Sequence, residues 1–286
     1  MRKLSGTFLV GLCLGAIGAV VVTAGHGIAA TPQPLAVTQI ATTAPAPETP
    51  ATPTPTPTET PTETPATTPE VDAAALAEIV RDGKVSAVVY DRDRRETTVS
   101  VGADRGYTSA SLVKLLIALS VLEQDGPVAD VQRMLSRSDD DLASRFWTAY
   151  GGTSIVTRWA AKLGLAGTRP PADPGRWGDT RTTASDVVKI YRYLLDHKST
   201  AILTALRGAT ERGSDGFRQY FGIPDAAGGR PWAVKQGWAC RRPTRTLHTT
   251  GVVGQRIVVV LTEHPESVGY PAAARRVTEV VAKLLG

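Results

Sequence analysis

Apolar and polar positions change their period several times along residues 71–286, and each change predicts an element. Apolar residues recur at helical spacing over 71–82, which predicts an amphipathic helix. VSAVVY over 85–90 and TTVSV over 97–101 predict two strands joined by the polar turn DRDRRE. Helical periods return over 111–124, 128–135, 139–149, 153–163 and 184–195, with a further helix over 200–212. Strand patterns follow over 232–237, 246–253 and 256–262, and a last helix over 271–285. The order is helix, strands, helices, strands, helix. It implies an α+β fold in which an antiparallel sheet of early and late strands is flanked by the first and last helices. The intervening helices form an all-helical lobe, and the cleft between lobe and sheet is the expected place for a site.

Upstream the pattern is of another kind. Arg2 and Lys3 precede an apolar stretch over 8–24 and the small residues Gly27, Ala29 and Ala30, which reads as a secretory signal over 1–30. The run is long for a signal and just short of a comfortable membrane span, so an uncleaved anchor is the alternative. Either way the rest of the chain is exported, to the exterior or the cell envelope. Cys13 follows Leu12 rather than a small residue, so no lipid anchor is predicted. Residues 31–70 are dominated by Thr, Pro and Ala around TPTPTPTETPTETP and cannot bury enough surface to offset their ordering entropy. This segment reads as a disordered, extended linker, and at about 3.1 Å per residue it would reach on the order of 100 Å.

With Arg2, Lys3, Glu48, Glu59, Glu63 and Glu70 set aside, residues 71–286 hold 30 basic and 23 acidic residues, a net charge of +7. No basic stripe interleaved with aromatics accompanies that charge, and export argues against nucleic acid as a partner. Cys240 is the lone cysteine of this region, so no internal disulfide is possible there. His197, His248 and His264 show no ligand spacing with it, so neither a metal nor a cofactor is expected.

Three short segments carry candidate chemistry. Ser111-Leu-Val-Lys114 opens the apolar run LLIALSVL, and a three-residue step on a helix returns the lysine to the serine's face. An amine there can take the hydroxyl proton and make a serine nucleophile without histidine. Within SRSDDDLASRFWTAYGG, Ser138-Asp139-Asp140 opens a helix and, taken alone, reads as its N-cap. Lys235-Gln236-Gly237-Trp238 places a lysine on a strand before a glycine, a residue that in strands often marks close approach of another backbone or a ligand.

In this order and topology the three segments resemble those of the penicillin-recognising serine enzymes, the class A β-lactamases and D-alanyl-D-alanine peptidases, with their Ser-x-x-Lys, Ser-x-Asn and Lys-Thr/Ser-Gly motifs. The resemblance spans essentially all of 71–286. GDTRTTASDVVKIYRYLL is similar to the segment that closes the family's omega loop. It implies a β-lactamase/transpeptidase-like fold, with Ser111 as nucleophile and Lys114 as base or proton relay. Ser138 would pass a proton to the leaving amine, and Lys235 would hold that hydroxyl and attract a substrate carboxylate. The N–H groups of Ser111 and Trp238 would form the oxyanion hole, with Asp140, Gln236, Gly237 and Trp238 at the substrate.

The chain departs from that pattern at four places. Asp140 stands where the family has an amide donor, and an ionised carboxylate only accepts. Gln236 replaces a hydroxyl residue. No glutamate lies between Leu163 and Asp179, where class A enzymes carry the base that activates the deacylating water, and Asp173 is the carboxylate nearest in kind. Ser138 follows Ser111 by 27 positions, fewer than in class A enzymes, which implies a reduced helical lobe. The resemblance implies a serine hydrolase acting through an acyl-enzyme on β-lactams or peptidoglycan-type peptides, the leader adds export, the missing glutamate adds weak deacylation, and a monomer is expected. The alternative is a catalytically impaired relative serving as a cell-envelope binding module.

Overall fold

The computed structural model describes residues 71–286, and the leader and linker read over 1–70 lie outside them. The described residues open on α1 (Ala73–Ile79), capped by Asp72, whose carboxylate accepts from Ala74 N at 2.8 Å. Then come β1 (Lys84–Asp91), β2 (Glu96–Val101) and the two-residue β3 (Tyr107–Thr108). A 3₁₀ turn, Ala110–Val113, leads into α2 (Lys114–Glu123), followed by α3 (Val128–Ser136), α4 (Asp140–Ala149) and α5 (Thr153–Leu163). The second half holds β4 (Arg181–Thr182), α6 (Ala184–Asp196), α7 (Thr200–Arg207), α8 (Ile223–Ala226), β5 (Trp232–Arg241), β6 (Thr244–Val253), β7 (Arg256–Pro265) and α9 (Tyr270–Leu285).

Five strands form one antiparallel sheet in the order β2-β1-β7-β6-β5, so the first and last strand pairs meet as the element order predicts. β1 and β7 lie inside the sheet and are covered on both faces, which is why their sequences run apolar almost without interruption. Alternation divides their side chains between two cores. Ala87, Val89, Val258 and Val260 pack with Leu76 of α1 and Val277, Val280 and Val281 of α9. Val88, Val259 and Leu261 pack with the helical lobe instead. α2 is buried from Lys114 to Val121, so it is apolar all round rather than striped. It is the axis of the lobe, and Lys114 is the charged exception at its first turn.

Several boundaries differ from the sequence reading, each for a local reason. The helix predicted over 200–212 stops at Arg207, because Gly208 follows and Thr210 N donates to Ser136 O at 3.0 Å. The strand predicted over 232–237 runs on to Arg241 as one arm of a hairpin with β6. β3 and β4 pair only two residues each, too few to give a period. That small ladder matters because it holds the segment before β4 against the turn that carries Ser111.

Candidate active site

The 3₁₀ turn Ala110–Val113 lies against β5, so the start of α2 and the edge strand converge. Gly237 is the point of closest approach: a Cβ built there would lie 3.1 Å from Ser109 O, 3.3 Å from Leu112 Cγ and 3.4 Å from His248 Cδ2. A side chain would push strand and turn apart. His248 supports the arrangement from below, its Nε2–H donating to Thr108 O at 2.8 Å and its Nδ1 accepting from Thr262 N at 3.1 Å. Burial lowers its pKa to about 4, which fits this neutral, structural bonding.

Ser111, Lys114, Ser138 and Lys235 come together in that junction, all buried. Lys114 Nζ lies 3.0 Å from Ser111 Oγ, 3.2 Å from Ser138 Oγ, 2.8 Å from Ser138 O and 2.5 Å from Asp140 Oδ1. Lys235 Nζ lies 3.0 Å from the same Ser138 Oγ and donates to Gln236 O at 2.8 Å. The Ser138 hydroxyl is thus shared by two amines. Capping does not occupy it, since Asp139 is the N-cap of α4 and accepts from Leu142 N at 3.0 Å. Ala110 and Ser138 both hold left-handed backbone, at φ 46° and 51°. For residues with a Cβ such a conformation costs roughly 1–2 kcal/mol each, and strain of this kind gathers at functional sites.

Burial depresses the pKa of Lys114, against the opposing pull of Asp140 first and then of Asp215 and Asp139. Lys235 is held well below its ordinary value, first by burial and then by the charge of Lys114, with Asp140 and Asp215 opposing. Two amines that close together in a dry site do not both carry a proton comfortably.

The remaining residues singled out in the sequence have other surroundings. The Asp140 side chain is 64% exposed, with Oδ1 committed to Lys114. Gln236 is buried, and its amide donates to Gln219 O at 3.0 Å and Phe221 O at 2.7 Å, which latches the 219–221 loop to β5. Its Oε1 has no partner among the described residues. Trp238 stacks on Phe217 at 4.8 Å, and its Nε1 donates to Asp215 Oδ2 at 2.9 Å. Asp173 closes its own exposed turn by accepting from Gly175 N at 2.9 Å.

Two residues near the lysines were not singled out beforehand. Trp177 lies with its ring centroid 4.9 Å from Lys114 Nζ, and its Nε1 donates to Ser144 Oγ at 3.2 Å. Its segment is the one that lacks a glutamate, and an indole is what that segment turns toward Lys114. Asp215 sits in Gly213-Ser-Asp-Gly216, which reads as a plain turn, and only the fold brings it beside Trp238. Among the described residues no group of three or more His, Cys, Asp or Glu side chains is placed to hold a metal ion.

No family model matches the sequence. Over 215 residues it is 36% identical to the protein named "Putative lipoprotein LppW" of Mycobacterium tuberculosis, covering 69% of this chain and 68% of that one. The protein of the same name from Mycobacterium bovis gives the same figures. Among solved structures, the class A β-lactamase from Mycobacterium abscessus superposes with a TM-score of 0.61 at 16% identity, covering 74% of this chain and 96% of that one. A β-lactamase from Chitinophaga pinensis gives 0.60 at 13% identity, with 75% and 98% covered. At those identities the likeness is one of fold, and the fold is β-lactamase-like.

Proposed function

This chain belongs to the LppW family, and from that membership together with the paired serines and lysines of its cleft we propose that it is a cell-envelope serine hydrolase working by acyl transfer. The observation that carries the reading is the bridge Ser111–Lys114–Ser138–Lys235, in which one amine touches both hydroxyls and a second touches the shared one. The substrate class is β-lactams or peptidoglycan-type peptides.

In this reading Ser111 Oγ attacks the substrate carbonyl carbon as its proton passes to neutral Lys114. The tetrahedral oxyanion accepts from the N–H groups of Ser111 and Trp238, donors worth about 3–4 kcal/mol each in comparable sites. As the C–N bond breaks, the Ser138 hydroxyl gives its proton to the leaving nitrogen and is reprotonated through Lys114 or Lys235. The product of this half-reaction is an ester on Ser111. Its hydrolysis needs an activated water. Asp173 is engaged in its own turn and Trp177 faces Lys114, so the acyl-enzyme persists. The signal or anchor read over 1–30 and the linker read over 31–70 support export of the 71–286 domain to the cell envelope. The word lipoprotein in the relative's name accords with an envelope location.

A second reading, a binding module in the same cleft, draws on Gln236 and Asp140, both of which are engaged with the protein's own groups. One experiment separates the two. The protein is incubated with a penicillin and with a cephalosporin and its intact mass is measured. Acyl transfer gives a stable adduct of one ligand per chain that is absent in Ser111→Ala, with little hydrolysed product released. No adduct, together with ligand affinity unchanged in Ser111→Ala, refutes the enzyme and leaves the binding module, because a nucleophile contributes to reaction and not necessarily to ground-state binding.

A further inference from the structure

The most unusual contact in the cleft is the 2.5 Å approach of Asp140 Oδ1 to Lys114 Nζ. Of the acceptors around Lys114, Ser138 O and Asp140 Oδ1 can only accept, while the two hydroxyls can do either. A carboxylate in direct contact favours the ammonium form, and an opposite charge at such range moves a pKa by about 1–3 units. Lys235, one hydroxyl away, has the backbone acceptor Gln236 O and, among the described residues, no carboxylate in contact. We propose that Asp140 acts as a proton clamp, holding the resting proton on Lys114 and leaving Lys235 as the neutral amine. The inference rests on the acyl-transfer reading and adds its regulation: the site is held off until the proton leaves Lys114.

The route is the shared hydroxyl. Lys114 Nζ gives a proton to Ser138 Oγ as Ser138 Oγ gives its own to the lone pair of Lys235 Nζ. One N–H bond breaks, one forms, and the hydroxyl is regenerated. Lys114 then has the lone pair that receives the Ser111 proton. The charged groups around the pair are few. Asp140 and Asp139 come from the start of α4, Asp215 from the 213–216 turn, and Lys235 from β5, while the Trp177 ring centroid lies 4.9 Å from Lys114 Nζ and the Trp238 ring centroid 5.7 Å from Lys235 Nζ. The other two carboxylates have prior engagements: Asp139 caps α4 and Asp215 accepts from Trp238 and Phe217. Asp140 is therefore the positioning residue that decides which amine is charged.

Residues 71–286 contain seven lysines, Lys84, Lys114, Lys162, Lys189, Lys198, Lys235 and Lys283, few enough to follow individually. The test labels lysine Cε with ¹³C in the full chain, assigns Lys114 and Lys235 with Lys114→Met and Lys235→Met, and titrates wild type, Asp140→Asn and Asp140→Ala. The clamp requires Lys114 to titrate lower in both Asp140 variants, by about one unit or more given the exposure of the carboxylate. A second measurement is the limiting rate of adduct formation at saturating penicillin. It should rise roughly tenfold near neutral pH in both variants, since one pKa unit is tenfold in the neutral fraction, and should converge with wild type at high pH. An unchanged Lys114 titration overturns the clamp, and so does a gain confined to Asp140→Asn, which would be the work of its new amide donor. A shifted titration without any adduct in any form leaves the clamp standing and refutes the acyl-transfer reading instead.

Discussion

Replacing Lys235 with methionine should stabilise the protein at neutral pH while removing chemistry at Ser111. Methionine keeps an unbranched side chain as far as Cε and removes the amine of a residue that is 1% exposed. In the folded protein burial, then the charge of Lys114, holds the ammonium form of Lys235 well below its ordinary 10.5. In the unfolded chain the same group keeps its proton up to about pH 10.4. Between the two values the unfolded state binds more protons than the native state, so stability rises with pH across that window and is lost as pH falls. The slope is about 1.4 kcal/mol per pH unit wherever Lys235 is neutral when folded and charged when unfolded. Between melts at about pH 7.5 and about pH 9.5 the wild type should therefore gain stability that the methionine variant does not, at up to that slope. For a domain of this size each kcal/mol is read as roughly 2–4 °C in the difference between their melting temperatures. Losing the contacts to Ser138 Oγ and Gln236 O subtracts a pH-independent offset of about 1 kcal/mol each, so the advantage of the variant shrinks as pH rises. Thermal melts of both proteins at the two pH values give the answer. A melting difference that does not change with pH would mean that Lys235 is charged in the native state, and the assignment of the neutral amine would be wrong.

Two further substitutions report on how the cleft is held. Gln236→Thr removes the amide that bonds Gln219 O and Phe221 O and should cost about 1–3 kcal/mol, read as a lower melting temperature and faster protease cleavage within 211–222. Gly237→Ala places a Cβ 3.1 Å from the backbone oxygen of Ser109, which cannot rotate away. It should cost about 1–3 kcal/mol and slow adduct formation by on the order of tenfold through misplacement of Lys235. Unchanged melting and unchanged acylation in that variant would mean that turn and strand are not rigidly docked.

How far the sequence could be read depended on the range of each interaction. The Ser111–Lys114 contact is three residues long and follows from helical geometry, although the structure makes its first half a 3₁₀ turn. The meeting of Ser138 and Lys235, 97 residues apart, has no local signature and was anticipated only through the order of three motifs. Asp139 and Asp140 are adjacent identical residues, and nothing in the sequence says that one caps a helix while the other grips a lysine. The resemblance places Gln236 at the substrate, and nothing in the sequence says that its amide bonds the 219–221 loop. Trp177 stands where the family pattern has a carboxylate-bearing segment, and an indole facing an amine is legible only in space.

What bears on whether the cleft is chemical or merely concave is its pair of amines. Left-handed backbone at Ala110 and Ser138 does not single the cleft out, since Asp82, Arg95, Asp125 and Lys198 share it, and buried polar atoms without a partner among the described residues occur also at Thr180, Arg245 and His264. Lys114 and Lys235 do single it out: both are buried and both meet the Ser138 hydroxyl. A surface that only binds a peptide can be built from exposed side chains and needs neither. Buried amines with depressed pKa values are what proton transfer at a serine requires. That pair supports the enzyme reading over the binding module, and it explains why Lys235→Met should trade function for stability rather than lose both.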